Sequence, residues 1–271
     1  MAPIQLSHPS QNSAVPDARA GDVLRLPELE GKAMWRGNEL GCSAQRECVA
    51  TGFDALDKEL PGGGWPCRSL TEILQPQPSL CEWRLLGASL SRIVASGGHI
   101  LLVSPPKHPH LPGLMQHGLH QHQMVWLDAK TPAERLWTTE QLVKSNPAGA
   151  ILSWLPQARP EQLRRLQVHA QSCDSPVFLF RPATAQLDAS PAPLRLLVDV
   201  AANWQLSVKV FKRRGPAHEQ SLLLSSISQS LADVLTTRML QPSPIAPVLE
   251  ISRVRTLGSS VSTAQAQHLV H

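Results

Sequence analysis

The chain has 271 residues, 42% hydrophobic and 17% charged, which fits one sizeable core with flanking segments and excludes a wholly disordered polymer. No apolar run approaches the roughly 18 residues that a membrane-spanning helix needs. The formal charge of +4 is uneven: basic and acidic side chains balance through residue 188, and the whole excess follows it, so that end suits a weakly anionic partner.

The first 45 residues are rich in Pro, Ser, Gln and Gly and hold no sustained apolar period. They are expected to form a flexible arm with one short helix near Met34–Leu40. The stretch MAPIQLSHPSQN has neither a basic nor an apolar character, so no secretory signal is expected there. The five cysteines (Cys42, Cys48, Cys67, Cys81, Cys173) form no C-x-x-C pair, so free thiols in an intracellular protein are expected. Thr51 is placed to cap a short helix over 52–60, which Pro61 and Gly62-Gly63-Gly64 end. Ser69–Leu74 is a first strand, and Glu82–Ala95 a helix with Leu85, Leu86, Ser89, Leu90 and Ile93 on one face. Gly97-Gly98 stops it, and the apolar run His99–Ser104 is a second strand buried on both sides.

The alternation continues with a proline-broken helix near Leu111–His120, a strand at Met124–Leu127, a helix from Thr131 to about Ser145 and a strand at Ala150–Leu155. A helix over Glu161–Gln171 and a fifth strand, Val177–Phe180, follow. Leu194–Ala201 and Gln205–Phe211 alternate around Ala202-Asn203 as an antiparallel hairpin. Leu222–Leu224 reads as an edge strand, Ile227–Leu240 as a helix, and Pro242 onward as a disordered tail. Strand–helix–strand spacing of this kind specifies an α/β layered fold with a mostly parallel sheet. Its domains are an arm (1–45), a core (46–215) and a C-terminal extension with tail (216–271).

Such folds place ligands beyond the carboxyl ends of the strands. The first strand-to-helix junction runs Gln75, Pro76, Gln77, Pro78, Ser79, Leu80, Cys81, Glu82. A phosphate loop there needs glycines that turn backbone N–H groups inward, a lysine for the phosphate charge and a hydroxyl for magnesium. The junction has no glycine, two prolines without an N–H, and a carboxylate near the expected lysine. Ser104-Pro105-Pro106-Lys107 stands where an acid would orient water, and Ala150–Leu155 lacks the carboxylate that reaches magnesium. The expectation is a degenerate loop, no catalytic residue, no cofactor and no metal.

Three stretches carry a resemblance: Ala50-Thr51-Gly52-Phe53-Asp54-Ala55-Leu56-Asp57, Leu60-Pro61-Gly62-Gly63-Gly64-Trp65-Pro66 and Leu70-Thr71-Glu72-Ile73. Their order and spacing resemble the opening of the RecA-type recombinase core. With Leu80–Leu86 in place of the ATP loop, Pro105-Pro106, and Trp154-Leu155-Pro156, residues 48–215 are similar to ImuA, in the nucleotide-free branch that also holds the SulA-like division inhibitors. Leu80 departs from the glycine that ImuA-like chains tend to keep there. The resemblance implies a RecA-like three-layer core, with the hairpin and flexible arms added to it. It also implies a non-enzymatic accessory role in the SOS response, in translesion DNA synthesis and mutagenesis. The implied partners are an ImuB-like polymerase homologue, RecA and an error-prone polymerase assembly, met in the cytoplasm at the nucleoid, with direct DNA contact left open and indirect contact favoured. A SulA-like inhibitor that binds FtsZ and a residual ATPase are the alternatives.

Three clusters remain. His108, His110, His117, His120 and His122 crowd one segment, but no Cys or acid joins them, so solvated histidines are expected rather than a metal site. Lys209, Lys212, Arg213 and Arg214 are expected to give the hairpin a basic tip for an acidic partner or DNA phosphates. Trp83, Trp126, Trp137 and Trp154 suit packing, whereas Trp35, alone in a polar arm, is a candidate partner anchor.

Overall fold

The computed structural model describes residues 47–216, 220–227 and 229–240. The expected arm with Trp35 and the tail from Pro242 lie outside the described residues. The protein is a mixed α/β fold around an eight-stranded sheet. In chain order the strands and helices are β1 (Cys48–Val49), α1 (Asp54–Glu59), β2 (Trp65–Pro66), β3 (Leu70–Gln75), α2 (Glu82–Ala95), β4 (His99–Val103) and α3 (Leu111–Met115). There follow β5 (Met124–Leu127), α4 (Pro132–Ser145), β6 (Gly149–Trp154), α5 (Pro160–Ala170) and β7 (Val177–Pro182). Last come β8 (Leu194–Val200), β9 (Gln205–Lys212), β10 (Ser221–Ser225), α6 (Gln229–Ala232) and α7 (Thr237–Leu240).

The sheet order is β10-β9-β8-β3-β7-β6-β4-β5. The six strands from β8 to β5 run parallel, and β9 and β10 add antiparallel at one edge. One apolar layer joins Ile73, Leu102, Leu152, Phe178 and Leu196 to Leu85, Leu86 and Leu90 of α2. The other joins Leu70, Ile151 and Leu179 to Leu136 and Val143 of α4 and Leu163 and Leu166 of α5. Helices therefore cover both faces, which is why the central strands are apolar throughout.

Local chemistry sets the helix limits. Glu82 opens α2 with the charge that its positive end favours. Thr131 caps α4: its Oγ1 accepts from Glu134 N at 3.2 Å, and the Glu134 carboxylate accepts in return from Thr131 N. Pro132 stands at its first turn, and Asn146 ends it in the left-handed conformation before Pro147.

Several expectations change. Thr51 is not a helix cap; α1 begins after Phe53, and Thr51 Oγ1 accepts from Phe53 N while Thr51 N donates to Asp57 Oδ1. α3 is only five residues long, and the helix expected over 227–240 is two short pieces separated by a turn. Trp137 is 63% exposed, so it packs in no core. β10 pairs with β9 along its length and buries Leu224, so the sheet extends past the boundary expected at residue 215. Truncation there removes an integral strand.

The two-residue ribbon β1–β2 was not foreseen. It holds Trp65, fully buried, whose Nε1 donates to Ser89 Oγ at 2.8 Å and whose ring meets Phe178 edge-on at 5.4 Å. Gly64 permits this closeness, because a Cβ there would lie 2.5 Å from Val49 O. Gly64→Ala is expected to cost about 1–3 kcal/mol, the range for overpacked sites, read as a lower urea midpoint at unchanged slope.

Candidate functional site

The junction expected to hold a degenerate phosphate loop is filled by the protein's own carboxylate. Gln75 ends β3, and Glu82, 1% exposed, begins α2. Glu82 Oε1 accepts from Gln75 Nε2 at 2.6 Å, from Ser79 N at 2.7 Å and from the indole Nε1 of Trp154 at 3.0 Å. Its Oε2 accepts from Cys81 N at 3.1 Å. Ser79 has a φ of +62°, which turns its N–H inward. Backbone N–H groups at the start of a helix are an anion seat, and here the anion is a side chain. Pro76, Gln77 and Pro78 are exposed around it, and Leu80 packs against the core beside it.

Arg84, in the first turn of α2, points away from this seat. Its Nη2 donates to Ser226 Oγ at 2.6 Å and to Gln205 O at 3.3 Å, pinning the β8–β9 turn and the end of β10. Burial pulls its guanidinium below the usual arginine range. Just after β4, Ser104 Oγ donates to Ala129 O and accepts from Ala129 N, both at 2.8 Å. On β6, Ser153 Oγ and Thr139 Oγ1 lie 2.6 Å apart. At both places where a nucleotide site needs an acid, hydroxyls are tied to neighbouring segments instead.

The basic cluster is not at the hairpin tip. β8 and β9 turn at 201–204, at the carboxyl end of the parallel strands, whereas Lys212 pairs with Arg195 at the opposite end. Lys212 Nζ donates to Ser190 O at 2.6 Å, and burial, then Arg195, lowers its pKa. Arg213 Nη1 meets Glu59 Oε2 at 2.7 Å and donates to Glu59 O as well, tying β9 to α1. Lys209 is half-buried in the middle of β9, and only Arg214 of the four is exposed. The cations stand at the far end of the strands from their turn.

The histidines carry local structure. His110 Nδ1 accepts from Gly113 N to start α3, His108 stacks on Trp126 at 4.5 Å, and His120 stacks on His122. His117 packs against Gly87 of α2, and burial lowers its pKa. Among the described residues no three metal-ligating side chains come together.

Burial pushes the Cys67 and Cys81 thiols up to about 12, and Cys173 is raised for the same reason. The rise from 9.0 to about 12 leaves roughly a thousandfold fewer thiolates at a given pH. Alkylation of native protein at pH 8, followed by peptide mapping, is expected to modify half-buried Cys48 ahead of these three buried thiols.

Sequence reasoning missed the surface beside Glu82. A cleft of about 550 Å³ opens along the carboxyl ends of β3, β7, β6, β4 and β5, with Gln75, Lys107, Trp126, Arg135, Trp154 and Arg181 among its walls. It occupies the switch point where connections from adjacent strands leave to opposite faces, the place where open α/β sheets bind ligands. The run of prolines after β4 and β6 was the available signal. No helix among the described residues is long and apolar enough to cross a membrane. No family model matches the chain, and no curated protein is significantly similar to it.

Proposed function

We propose that the chain is a non-catalytic accessory protein of SOS-induced translesion DNA synthesis, ImuA-like in kind. It acts in the cytoplasm, at the nucleoid, by docking to an ImuB-like polymerase homologue, to RecA or to the error-prone polymerase assembly. The observation that supports it most is Glu82. Its carboxylate takes the N–H groups of Ser79 and Cys81 that a phosphate would need at this junction. A triphosphate would have to displace a buried anion that accepts four hydrogen bonds, and it would find no lysine within the loop to offset its charge. The fold then offers partners a rigid frame and shaped surfaces. The partner names rest on the resemblance of residues 48–215.

Two measurements test this reading. Calorimetric titration with ATP and magnesium is expected to give no binding heat; saturable affinity would restore the ATPase alternative. Immobilised full-length protein is expected to retain purified ImuB-like homologue or RecA and to pass FtsZ. Retention of FtsZ alone would replace the reading with the division-inhibitor one.

A further inference from the structure

The cleft beside Glu82 adjoins a second hollow of about 560 Å³ between the amino ends of α4 and α5, and the two share Arg135, Trp154 and Pro156. Prolines and packed rings make the walls stiff, so little is lost in ordering them when a ligand enters. The ring faces are already used: Trp126 lies under His108, and Trp154 lies on Phe180 at 4.7 Å. The inward faces of these rings are therefore taken by each other, which leaves the exposed His108 ring as the stacking surface for a base and makes oligothymidine a necessary control.

The charges favour an anionic guest. Lys107, Arg135 and Arg159 border the double hollow against one carboxylate, Asp128. Arg135 is held in place without being neutralised: its Nε donates to Ala129 O at 3.0 Å and its Nη2 to Lys130 O at 3.3 Å, with no carboxylate partner among the described residues. The eleven-residue helix α5 begins at this border; Gln162 Oε1 takes the Arg159 N–H at 2.9 Å, and the helix start adds positive potential.

The floor carries unmet hydrogen bonds. Gln75 is 2% exposed and its Oε1 has no partner among the described residues; Arg181 is 4% exposed and its Nε has none. Glu82 fixes the Gln75 amide through Nε2, so that Oε1 is the free end. A buried acceptor and a buried donor ask for a guest that brings both kinds of group. An extended polypeptide does so at every residue, because N–H and C=O alternate along it.

We propose that this double cleft is a docking groove for an extended acidic peptide of a partner protein. One apolar side chain seats among Pro78, Trp126 and Phe180, and carboxylates meet Arg135, Lys107 and Arg159. The assignment rests on the docking reading above, but not on which partner supplies the peptide.

The test is fluorescence anisotropy with the full chain and a labelled acidic hexapeptide carrying one central phenylalanine, at low salt. Controls are its charge-reversed counterpart and a short oligothymidine. The acidic peptide is expected to bind saturably, at least about tenfold tighter than either control. Lys107→Glu with Arg159→Glu, both at exposed positions, is expected to weaken it about tenfold or more at an unchanged melting temperature. Absence of saturation, equal binding of the basic peptide, tighter binding of oligothymidine, or indifference to charge reversal would each overturn the groove. Retention of the purified partner by the doubly reversed protein would overturn the groove and leave docking standing. Loss of that retention supports both.

Discussion

Replacing Glu72 with alanine is expected to lower stability by about 3–5 kcal/mol, the cost of stripping a buried ion pair of one partner. Glu72 lies fully buried in the middle of β3. Its Oε1 accepts from Arg181 Nη1 at 2.8 Å, and its Oε2 accepts from Arg195 Nε. Both guanidinium groups are almost wholly buried, and each also reaches the segment after β7. Arg181 Nη2 donates to Ala158 O and to Asp188 Oδ2, and Arg195 donates to Asp188 O and Ala185 O. Arg195 also lies over the Phe211 ring at 4.8 Å. Asp188, with its side chain 52% exposed, is too solvated to take over the charge of two arginines. The alanine variant would leave two cations in the sheet with only the half-exposed Asp188 as counter-charge, and with Lys212 close by.

The counter-experiment separates pairing from stability. Glu72→Leu combined with Arg181→Met and Arg195→Leu is expected to recover most of the loss, because a well-packed apolar triad avoids the desolvation of three charges. Urea unfolding monitored by tryptophan fluorescence reads both proteins. A cost below about 1 kcal/mol for Glu72→Ala would mean that the arginines are solvated, and the buried triad would then be wrong.

That triad also shows what a sequence conceals. β3, β4, β5 and α2 were legible because each carries a local signal: an unbroken apolar run, or an apolar face that starts at an acid and stops at glycines. Glu72 stands inside one of those runs, and a carboxylate there demands a partner. Nothing local says that the partners are Arg181 and Arg195, more than a hundred residues away. The same holds for β1 and β2, too short for any period to register, and for Arg213, whose partner Glu59 belongs to α1. The hairpin was legible, but which end of it carried the cations was a matter of direction, and the pairing of Lys212 with Arg195 decides it. At the junction after β3 the missing glycines and the acid at position 82 were plain. The seat that this acid fills was not, because the indole that completes it comes from β6.

Glu82→Ala is expected to cost about 3 kcal/mol or more, since it leaves the donors of Gln75, Ser79, Cys81 and Trp154 facing a hole. At roughly 2–4 °C per kcal/mol for a core of this size, the melting temperature should fall by about 6–12 °C. Inorganic phosphate should then restore part of the loss, because the vacated seat presents backbone N–H groups at a helix start to any small anion. A phosphate concentration ten times its dissociation constant returns about 1.4 kcal/mol. The parent protein, whose seat is filled, should show no such response to phosphate in the same thermal melts. Glu82→Gln should fall between the two, keeping an acceptor but losing the charge. If phosphate stabilises parent and alanine variant alike, the carboxylate does not occupy the seat. If it stabilises neither while the destabilisation stands, Glu82 holds the loop in shape and no anion seat exists without it.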